Sequence, residues 1–377
     1  MAIDNKDKKV LNVPHLRFPE FSGEWDSFKL VELGKFIGGG TPSSSNLSFW
    51  TGSIPWISSS DIKEDNINNI SISRYITEDA IEKSATKYCP APVILIVSRV
   101  GVGKVALSHT SLCTSQDFCN IIDIKCHPVF LSYNLLRTMK RKSREVQGTS
   151  IKGITSDELQ KIRVFIPKNK DEQNKISNLL TLLDERIVTQ NKIIDKLQSL
   201  INGIAQNVAR NNKPNIRLSE CLECSSSTLQ ESDVCENGTY PVYGANGIVG
   251  YIDNYNTEKE AVYIIKDGSG VGTVSYVTGK CSATGTLNTL QAKEGYSLQY
   301  LYYILKVLNF EPYKTGMAIP HIYFKDYGKA KIFCTSYTEQ LKYVGLLSAI
   351  DNKLSAEQSI LTDLSLQKQY LLRQMFI

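Results

Sequence analysis

Apolar residues follow a seven-residue repeat twice in this chain, from Ile176 to Ile204 and again about 167 positions later, from Leu347 to Leu371. The pair Glu172-Gln173 stands just before the first copy, and Glu339-Gln340 stands just before the second. A sustained heptad pattern is what knobs-into-holes packing against another helix requires. The sequence therefore predicts two similar halves, each ending in a long amphipathic helix.

The two long helices are expected to pack against each other, because both carry an apolar stripe of similar length. The first, from Asp171 to Ala209, would be about 58 Å long. We favour an antiparallel coiled coil with pseudo-two-fold symmetry, in which each helix leads away from its own half. The alternative is that each stripe packs on its own domain. The predicted coiled-coil contacts, which include one polar heptad position in each copy, are Leu180, Leu183, Ile187, Gln190, Ile194, Leu197, Leu347, Ile350, Leu354, Glu357, Leu361 and Leu364.

Each half reads as an α+β unit. Val93–Val97 has the length and β-branching of a buried strand, and the glycine turn at 99–104 follows it. A β-type run is predicted at 28–33 and a helix at 133–144. The second half repeats this order, with a strand at 262–265, a glycine turn at 268–272 and a helix at 298–308. The predicted domains are a first α+β domain at 1–168, a helix at 169–212, a second α+β domain at 213–335 and a helix at 336–377.

Composition narrows the class of protein. Apolar residues make up 42% and charged residues 21%, which is ordinary for a soluble chain. Residues 1–10 contain no apolar signal region, and the longest apolar run is strand-sized, so we expect a cytoplasmic protein without a membrane segment. The nine Cys then read as reduced thiols. Cys221, Cys224 and Cys235 could form part of a zinc site, but no fourth ligand follows at finger spacing, and buried thiols are the favoured interpretation.

No catalytic motif has the required spacing. The segment Gly101–Lys104 resembles the end of a phosphate-binding loop, but Val105 follows the lysine where Ser or Thr is needed, so a hairpin turn is favoured. The four His form no metalloprotease pattern, and the absence of Pro-Pro excludes the motif of an adenine methyltransferase. A nuclease core of dispersed acidic residues has no fixed spacing and is not tested by inspection.

Basic residues concentrate in one window of each half. Residues 137–163 hold eight basic and three acidic residues, and residues 305–331 hold five and two. Two basic patches in two similar halves suit a partner charged along its length, such as duplex DNA. The alternative is an ordinary solvated helix face.

Polar loop residues next to these patches could read base edges, although each one alone is more typical of turn chemistry. The candidate DNA contacts are Ser58, Ser59, Ser60, Arg99, Lys104, Arg137, Lys140, Arg141, Lys142, Arg144, Gln147, Thr149, Lys152, Tyr243, Asn246, Lys266, Ser269, Lys314 and His321.

Two segments carry a resemblance to a known family. The lead-in Leu16–Trp25, together with Pro167 followed after four residues by Glu172-Gln173, resembles the specificity subunits of type I restriction–modification systems. Gly39–Pro42 and Ile54–Ile57 also fit the family but are less specific. The second copy departs from the pattern, because Cys334 stands where the first has Pro167.

The resemblance implies a DNA reader without catalysis and without a cofactor of its own. Such a subunit binds a bipartite target in double-stranded DNA, one half-site per recognition domain, and the helical pair sets the gap. It recruits two modification subunits, which use S-adenosylmethionine, and restriction subunits, which use ATP and Mg. Rival interpretations are an enzyme fused to its own reader, and a scaffold whose domains bind something other than DNA. The sequence does not specify the DNA target or its gap.

Overall fold

A computed structural model of the protein describes residues 11–146, 153–316 and 318–377. The chain forms two compact units, one that takes in residues up to 189 together with 361–377, and one of residues 190–360. Two long helices, Lys170–Arg210 and Tyr337–Gln374, each supply residues to both units.

The two halves of the chain follow the same order of helices and strands, except that one short helix and one short strand of the first half have no counterpart in the second. The elements up to the first long helix are β1 (Asp26–Lys29), α1 (Leu30–Leu33), β2 (Lys35–Gly38), β3 (Ile54–Ile57), β4 (Arg74–Ile76), α2 (Glu78–Glu82), β5 (Tyr88–Cys89), β6 (Val93–Val97), β7 (Val105–Ser108), β8 (Leu112–Thr114), β9 (Phe118–Ile122), α3 (Pro128–Val146), α4 (Ser156–Lys161), β10 (Arg163–Ile166) and α5 (Lys170–Arg210). The later elements are β11 (Ile216–Arg217), α6 (Leu218–Cys221), β12 (Leu222–Ser226), β13 (Tyr240–Gly244), β14 (Gly247–Ile252), β15 (Glu260–Ile265), β16 (Val274–Thr278), β17 (Ser282–Ala283), β18 (Leu287–Ala292), α7 (Leu298–Lys306), α8 (Phe324–Tyr327), β19 (Lys331–Ile332) and α9 (Tyr337–Gln374).

In the first unit, strand β6 lies between two apolar layers. It belongs to an antiparallel sheet of order β2-β9-β6-β7. Ile94 and Ile96 pack in the cluster that contains Phe130 of α3, whereas Val93, Leu95 and Val97 pack on the other side with Ile57 of a second sheet. Successive side chains of a strand point to opposite faces, so burial on both faces requires a continuous apolar run. That second sheet has the order β4-β3-β8-β5, and β3 runs parallel to β8.

The second unit repeats this topology without a counterpart of β5. Its main sheet has the order β12-β18-β15-β16, and a second sheet has the order β14-β13-β17 with β13 parallel to β17. Val262 and Ile264 of β15 pack in the cluster with Leu301 of α7, and Tyr263 faces the other cluster. A two-stranded sheet closes each unit, β1 with β10 and β11 with β19. The predicted repeat of an α+β unit is therefore confirmed.

The long helices pair antiparallel within each unit. In the first unit, Asp184 of α5 forms an ion pair with Lys368 of α9, and the earlier residue Ile176 shares a cluster with the later residue Leu372. In the second unit, the Gln190 side chain donates to the main-chain oxygen of Glu357 at 2.9 Å, and the later residue Val208 shares a cluster with the earlier Val344. All twelve predicted coiled-coil residues, including the two polar ones, are buried or half-buried.

A glutamine at the start of each long helix fastens the helix to its unit. Gln173 accepts from the main-chain nitrogen of His127 at 3.0 Å and donates to the oxygen of Pro167 at 2.8 Å. Gln340 makes the same pair of bonds, accepting from Ser297 at 2.9 Å and donating to Thr335 at 2.8 Å. Both glutamines are buried. The glutamine of each repeated Glu-Gln pair thus connects the start of the long helix to the segment after the last strand and to the start of the helix that covers the sheet.

The prediction of a β-type run at 28–33 was wrong in its second part. Strand β1 ends at Lys29, and residues 30–33 form the one-turn helix α1. Glu32 accepts from the main-chain nitrogen of Lys29 at 2.6 Å, and Leu30 and Leu33, three positions apart, are both buried. The spacing of three, rather than the β-type composition, determines the local structure.

Candidate nucleic-acid interface

Three segments meet at the end of strand β6 in the first unit. The hairpin between β6 and β7 closes with a bond from the nitrogen of Val97 to the oxygen of Lys104 at 3.0 Å. The next residue, Ser98, donates to the oxygen of Asp117 at 2.8 Å, and its own oxygen accepts from Ile154 at 2.7 Å. The glycine turn, the loop before β9 and the loop before α4 are therefore held together at one edge.

The second unit builds the same junction at the end of β15. The nitrogen of Ile265 donates to Thr273 at 3.0 Å, and Lys266 donates to Thr286 at 3.0 Å. The oxygen of Lys266 accepts from Ile322 at 2.9 Å. The scaffold is shared, but the residues it carries differ. In place of Ser98 and the Arg99–Lys104 turn, the second unit has Lys266 and a turn with Ser269.

In the first unit, the structure brings the Ser58–Ser60 cluster to this junction. The Lys104 ammonium donates to the oxygen of Ser59 at 3.1 Å. Gly103, with a φ of 113°, lies against the last turns of α3, where an added Cβ would stand 3.2 Å from the Ser143 side chain. A larger residue in this left-handed conformation would be strained. The hairpin turn, the serine loop and the basic end of α3 are therefore neighbours.

The main-chain nitrogen and the hydroxyl of Ser58 both form hydrogen bonds within the first unit. The nitrogen donates to Asp61 at 2.7 Å, and the hydroxyl accepts from the Arg74 guanidinium at 2.7 Å. That guanidinium also lies 4.5 Å from the ring centre of Trp56. Arg74 could not be identified from the sequence, because it is distant in the chain from the residues it holds. Ser60 is exposed, and its hydroxyl lies 2.8 Å from that of Ser58.

The basic residues of α3 have different surroundings. Arg137 is half-buried and donates to the main-chain oxygen of Ile377 at 2.6 Å, and Lys140 forms an ion pair with Asp65. Lys142 is also half-buried, whereas Arg141 and Arg144 are exposed. The remaining candidates of this window, Gln147, Thr149 and Lys152, lie outside the described residues.

A polar cleft of about 820 Å³ opens beside the same junction. Arg99 lines it, as predicted for a residue of the turn. Besides the junction residue Ser98, sequence reasoning missed four other polar residues there, Gln116, Thr155, Ser156 and Glu158. They come from the loop before β9 and from the start of α4. Only the topology brings these short polar segments together, since no spacing in the sequence links them.

Two candidates of the second unit, Tyr243 and Lys266, are linked through Thr284 and Thr286. The oxygen of Tyr243 accepts from the nitrogen of Thr284 at 2.8 Å, and the hydroxyls of Thr284 and Thr286 lie 2.8 Å apart. Thr286 in turn accepts from Lys266. Asn246 is exposed at the two-residue turn between β13 and β14.

His321 and Lys314 flank the loop on the other side of Lys266. His321 and Thr315 exchange main-chain bonds of 2.8 and 2.9 Å. Lys314, next to Thr315, forms an ion pair with Glu311 at 2.5 Å. Ser269 lies in the β15–β16 turn, whose Gly268 donates to Pro320 at 3.0 Å. These candidates therefore surround the same junction.

The two basic windows do not occupy equivalent elements. Tyr133 of α3 and Tyr303 of α7 are equivalent, because each donates its hydroxyl to an aspartate of a long helix, Asp184 at 2.8 Å and Asp351 at 2.5 Å. Helix α3 continues for thirteen residues beyond its tyrosine, whereas α7 ends three residues after its own, at Lys306. The basic helical extension is thus a feature of the first unit, and the interpretation of two matched patches was wrong in that respect.

The three cysteines of the candidate zinc cluster differ in their burial. Burial raises the pKa of Cys221 to about 12 and that of Cys224 to about 11, so both are protonated at neutral pH. Cys235 is exposed. Among the described residues, no group of three or more His, Cys, Asp or Glu side chains could hold a metal ion.

The helices were also compared with the requirements for crossing a membrane. In the described parts of the chain, no helix combines the length and the apolar character that a membrane span needs.

Comparison with known proteins relates this architecture to one family. The chain is 33% identical over 186 residues to the type I restriction enzyme MjaIX specificity subunit of Methanocaldococcus jannaschii, a match that covers 46% of this chain and 42% of the relative. It is 32% identical over 203 residues to the EcoR124I/EcoR124II specificity subunit of Escherichia coli, covering 52% of this chain and 46% of the relative. The chain thus spans about half the length of these two relatives.

A solved structure shows the same fold over almost the whole chain. The S subunit of a type I restriction–modification system from M. genitalium superposes with a TM-score of 0.66 at 20% identity, covering 97% of this chain and 99% of that one. The model of the type I restriction modification DNA specificity domain matches twice, at residues 22–199 and 214–365. Because these two matches cover most of the chain, the protein belongs to the family of type I restriction–modification specificity subunits, with two DNA specificity domains.

Proposed function

We propose that this chain reads a bipartite sequence in double-stranded DNA, one half-site with each unit. One observation carries the proposal. The two units share the order of their main sheet and the parallel pair of their second sheet, yet the loops at the equivalent junctions differ. The β3–β4 connection runs from residue 58 to residue 73, whereas the equivalent β13–β14 connection has two residues, Ala245 and Asn246. A common scaffold with different loops is what two different half-sites require.

The gap between the half-sites would be set by the paired helices. The domain boundaries that we propose are 1–168 and 213–335 for the recognition domains, and 169–212 and 336–377 for the spacer helices. The coiled-coil residues, from Leu180 to Leu364, would then act as a ruler, because half-site spacing follows from the geometry of the protein.

Catalysis is assigned to partner subunits in this proposal. Two modification subunits would bring S-adenosylmethionine, and restriction subunits would bring ATP and Mg, in a cytoplasmic complex. Two observations support this assignment: the sequence lacks a catalytic motif, and the relatives are named as specificity subunits.

The proposed recognition of a bipartite target is tested by mapping methylated adenines in a host that carries this chain and its modification subunit. A bipartite motif is expected, and a continuous motif, or none, would contradict the proposal. Exchanging residues 58–73 for another loop should alter one half-site and leave the other unchanged. Methylation by the purified chain alone, given S-adenosylmethionine, would instead favour the fused enzyme.

A matched deletion tests the ruler. Removing Ile187–Ile193 from α5 and Leu354–Ile360 from α9 takes one heptad from each helix and keeps the contacts of Tyr133 and Tyr303 with Asp184 and Asp351. Seven residues correspond to about 10 Å of helix, which is about three base pairs of B-DNA. The methylated motif should keep both half-sites and lose about three base pairs of gap. An unchanged gap would contradict the ruler.

A further inference from the structure

A groove in the first unit lies between the last turns of α3 and the last turns of α9. Its volume is about 270 Å³. Five of its seven lining residues are basic and none is acidic, and they are Arg137, Lys140, Arg141, Arg144, Gln369, Leu372 and Arg373. The heptad pattern places α9 in the spacer, so sequence reasoning did not group Arg373 with the basic residues of α3.

The positive charge of this groove is poorly balanced. Lys140 has a carboxylate partner in Asp65. Of the carboxylates that the structure describes, none lies within ion-pair distance of Arg141, Arg144 or Arg373. These three side chains are exposed at the mouth of the groove. Their charges are therefore available to an anion.

Burial and neighbouring positive charges lower the pKa values of Arg137 and Lys140, which lie deeper in the groove. The pKa of Arg137 is lowered by burial and then by the charge of Arg141. The pKa of Lys140 is lowered by burial and by the charges of Lys368 and Arg144, although Glu64 acts in the opposite direction. Placing an anion in the groove would relieve repulsion between fixed cations.

The side-chain chemistry favours a phosphate. A guanidinium presents a planar set of donors that matches a phosphate oxygen pair. Arginine rather than lysine supplies the three groups at the mouth of the groove that have no carboxylate partner among the described residues. The groove is also next to the candidate reading loops, since Gly103 of the hairpin turn lies against Ser143 of α3 and Lys140 holds Asp65 of the serine loop.

We propose that this groove binds a phosphate of the DNA backbone beside the half-site of the first unit, with Arg141, Arg144 and Arg373 as its ligands. This inference rests on the proposed DNA-reading function. It makes the last turn of α9 part of the DNA surface. In the second unit, α7 ends before the equivalent turns, and the heptad register places Gln206 where the first unit has Arg373.

The salt dependence of DNA affinity tests the groove. The complex of this chain with its modification subunits is titrated with duplexes that contain the target, and with duplexes that lack it, over a series of KCl concentrations. Each lost phosphate contact should reduce the slope of log affinity against log salt by about 0.9. Arg373→Gln should therefore lower the slope by that amount and weaken binding about tenfold, equally for both duplexes.

Arg186→Gln is the matched control, because Arg186 is also an exposed arginine of a long helix in the first unit but does not line the groove. It should leave the slope unchanged. An Arg373→Gln complex with the wild-type slope, or an equal loss in both variants, would overturn the assignment. Titration of inorganic phosphate into the DNA-free complex separates the two sources of phosphate. Binding that Arg373→Gln abolishes while the DNA slope stays unchanged would assign the groove to a free phosphate and overturn the DNA proposal.

The outcome is separable from the proposed function. If the wild-type complex binds no bipartite target, the reading function fails. If it reads and methylates such a target while Arg373→Gln binds DNA as the wild type does, only the groove proposal fails.

Discussion

Arg17 and Glu172, separated by 155 positions, form a two-bonded ion pair in which the guanidinium donates at 2.7 and 2.8 Å. The indole nitrogen of Trp25 donates to the same carboxylate at 3.1 Å. These contacts join the two segments on which the family resemblance was recognised, the lead-in and the Glu-Gln pair. The lead-in and the Glu-Gln pair are both distinctive because each supplies part of the same buried contact. Glu172 is only 1% exposed there.

Glu172→Ala should lower the free energy of unfolding of the first unit by about 3–5 kcal/mol, because it leaves the Arg17 charge and a buried indole donor without their acceptor. All three Trp, at 25, 50 and 56, belong to this unit, so urea unfolding followed by fluorescence reports on it.

Glu339→Ala is the control, since Glu339 holds the equivalent position in the second copy but is exposed and, within the described ranges, accepts a hydrogen bond only from the Thr335 hydroxyl. It should cost about 1 kcal/mol or less in circular-dichroism unfolding. Equal effects of the two substitutions would show that the Arg17 pair is not a structural anchor.

Much of the fold could be predicted because burial imposes a period on the sequence. The run Val93–Val97 and the heptads of α5 and α9 carry that period over many residues. The four-residue helix α1 is too short for a period to be recognised. Its capping by Glu32 and its buried leucines are visible only once the neighbouring strands are in place.

The candidate site was less predictable, because its residues are brought together by topology. The Ser58–Ser60 cluster and Asn246 were both chosen as polar turns, but their equivalence became clear only when β3 and β13 proved to be the same strand of the repeat. Arg373 was hidden for another reason. A heptad pattern identifies the buried face of a helix and gives no information about what its exposed face meets.

The polar pair in the middle of the helical pair should fix register at a cost in stability. The Gln190 side chain donates to the Glu357 main chain at 2.9 Å and also to its carboxylate, and both residues are buried. Replacing both by Leu should raise the free energy of unfolding by about 1–4 kcal/mol. Amide hydrogen exchange of α5 and α9 should nevertheless become faster near the substitutions if register is loosened. Slower exchange throughout would mean that the pair has no role in register.

The buried pair Asp184–Lys368 should show strong coupling in a double-mutant cycle. Lys368 also donates to the main-chain oxygen of Asp65, and Tyr133 donates to Asp184 at 2.8 Å. Lys368→Met alone should cost about 3–5 kcal/mol, because Asp184 keeps a buried charge without its cation. Adding Asp184→Asn should recover most of that loss, as measured by tryptophan fluorescence in urea. Additive losses would show that the two charges do not interact.

The contribution of the Asp184–Lys368 pair to the free energy of unfolding should depend on pH and pass through a minimum. Burial is the main cause of both shifts: it raises the pKa of Asp184 above 3.8 and lowers the pKa of Lys368 below 10.5, although each partner's charge opposes the other's shift. For Asp184, the stabilising contribution is present below pH 3.8 and is lost as the pH rises through the folded-state pKa. For Lys368, the contribution is present above pH 10.5 and is lost as the pH falls through the folded-state pKa.

The free energy of unfolding of the wild type, minus that of the Asp184→Asn/Lys368→Met variant, should therefore be lowest between these two windows and rise toward both ends. Taking the difference cancels the titration of groups that the two substitutions leave unchanged. Tyr133 and Lys140 face the pair and still contribute to the difference, because after burial their pKa values depend on the charges of Asp184 and Lys368. Urea unfolding across the pH range checks it. A difference that is largest at neutral pH would mean that attraction between the two charges outweighs the cost of burying them, and that the direction of both shifts is wrong.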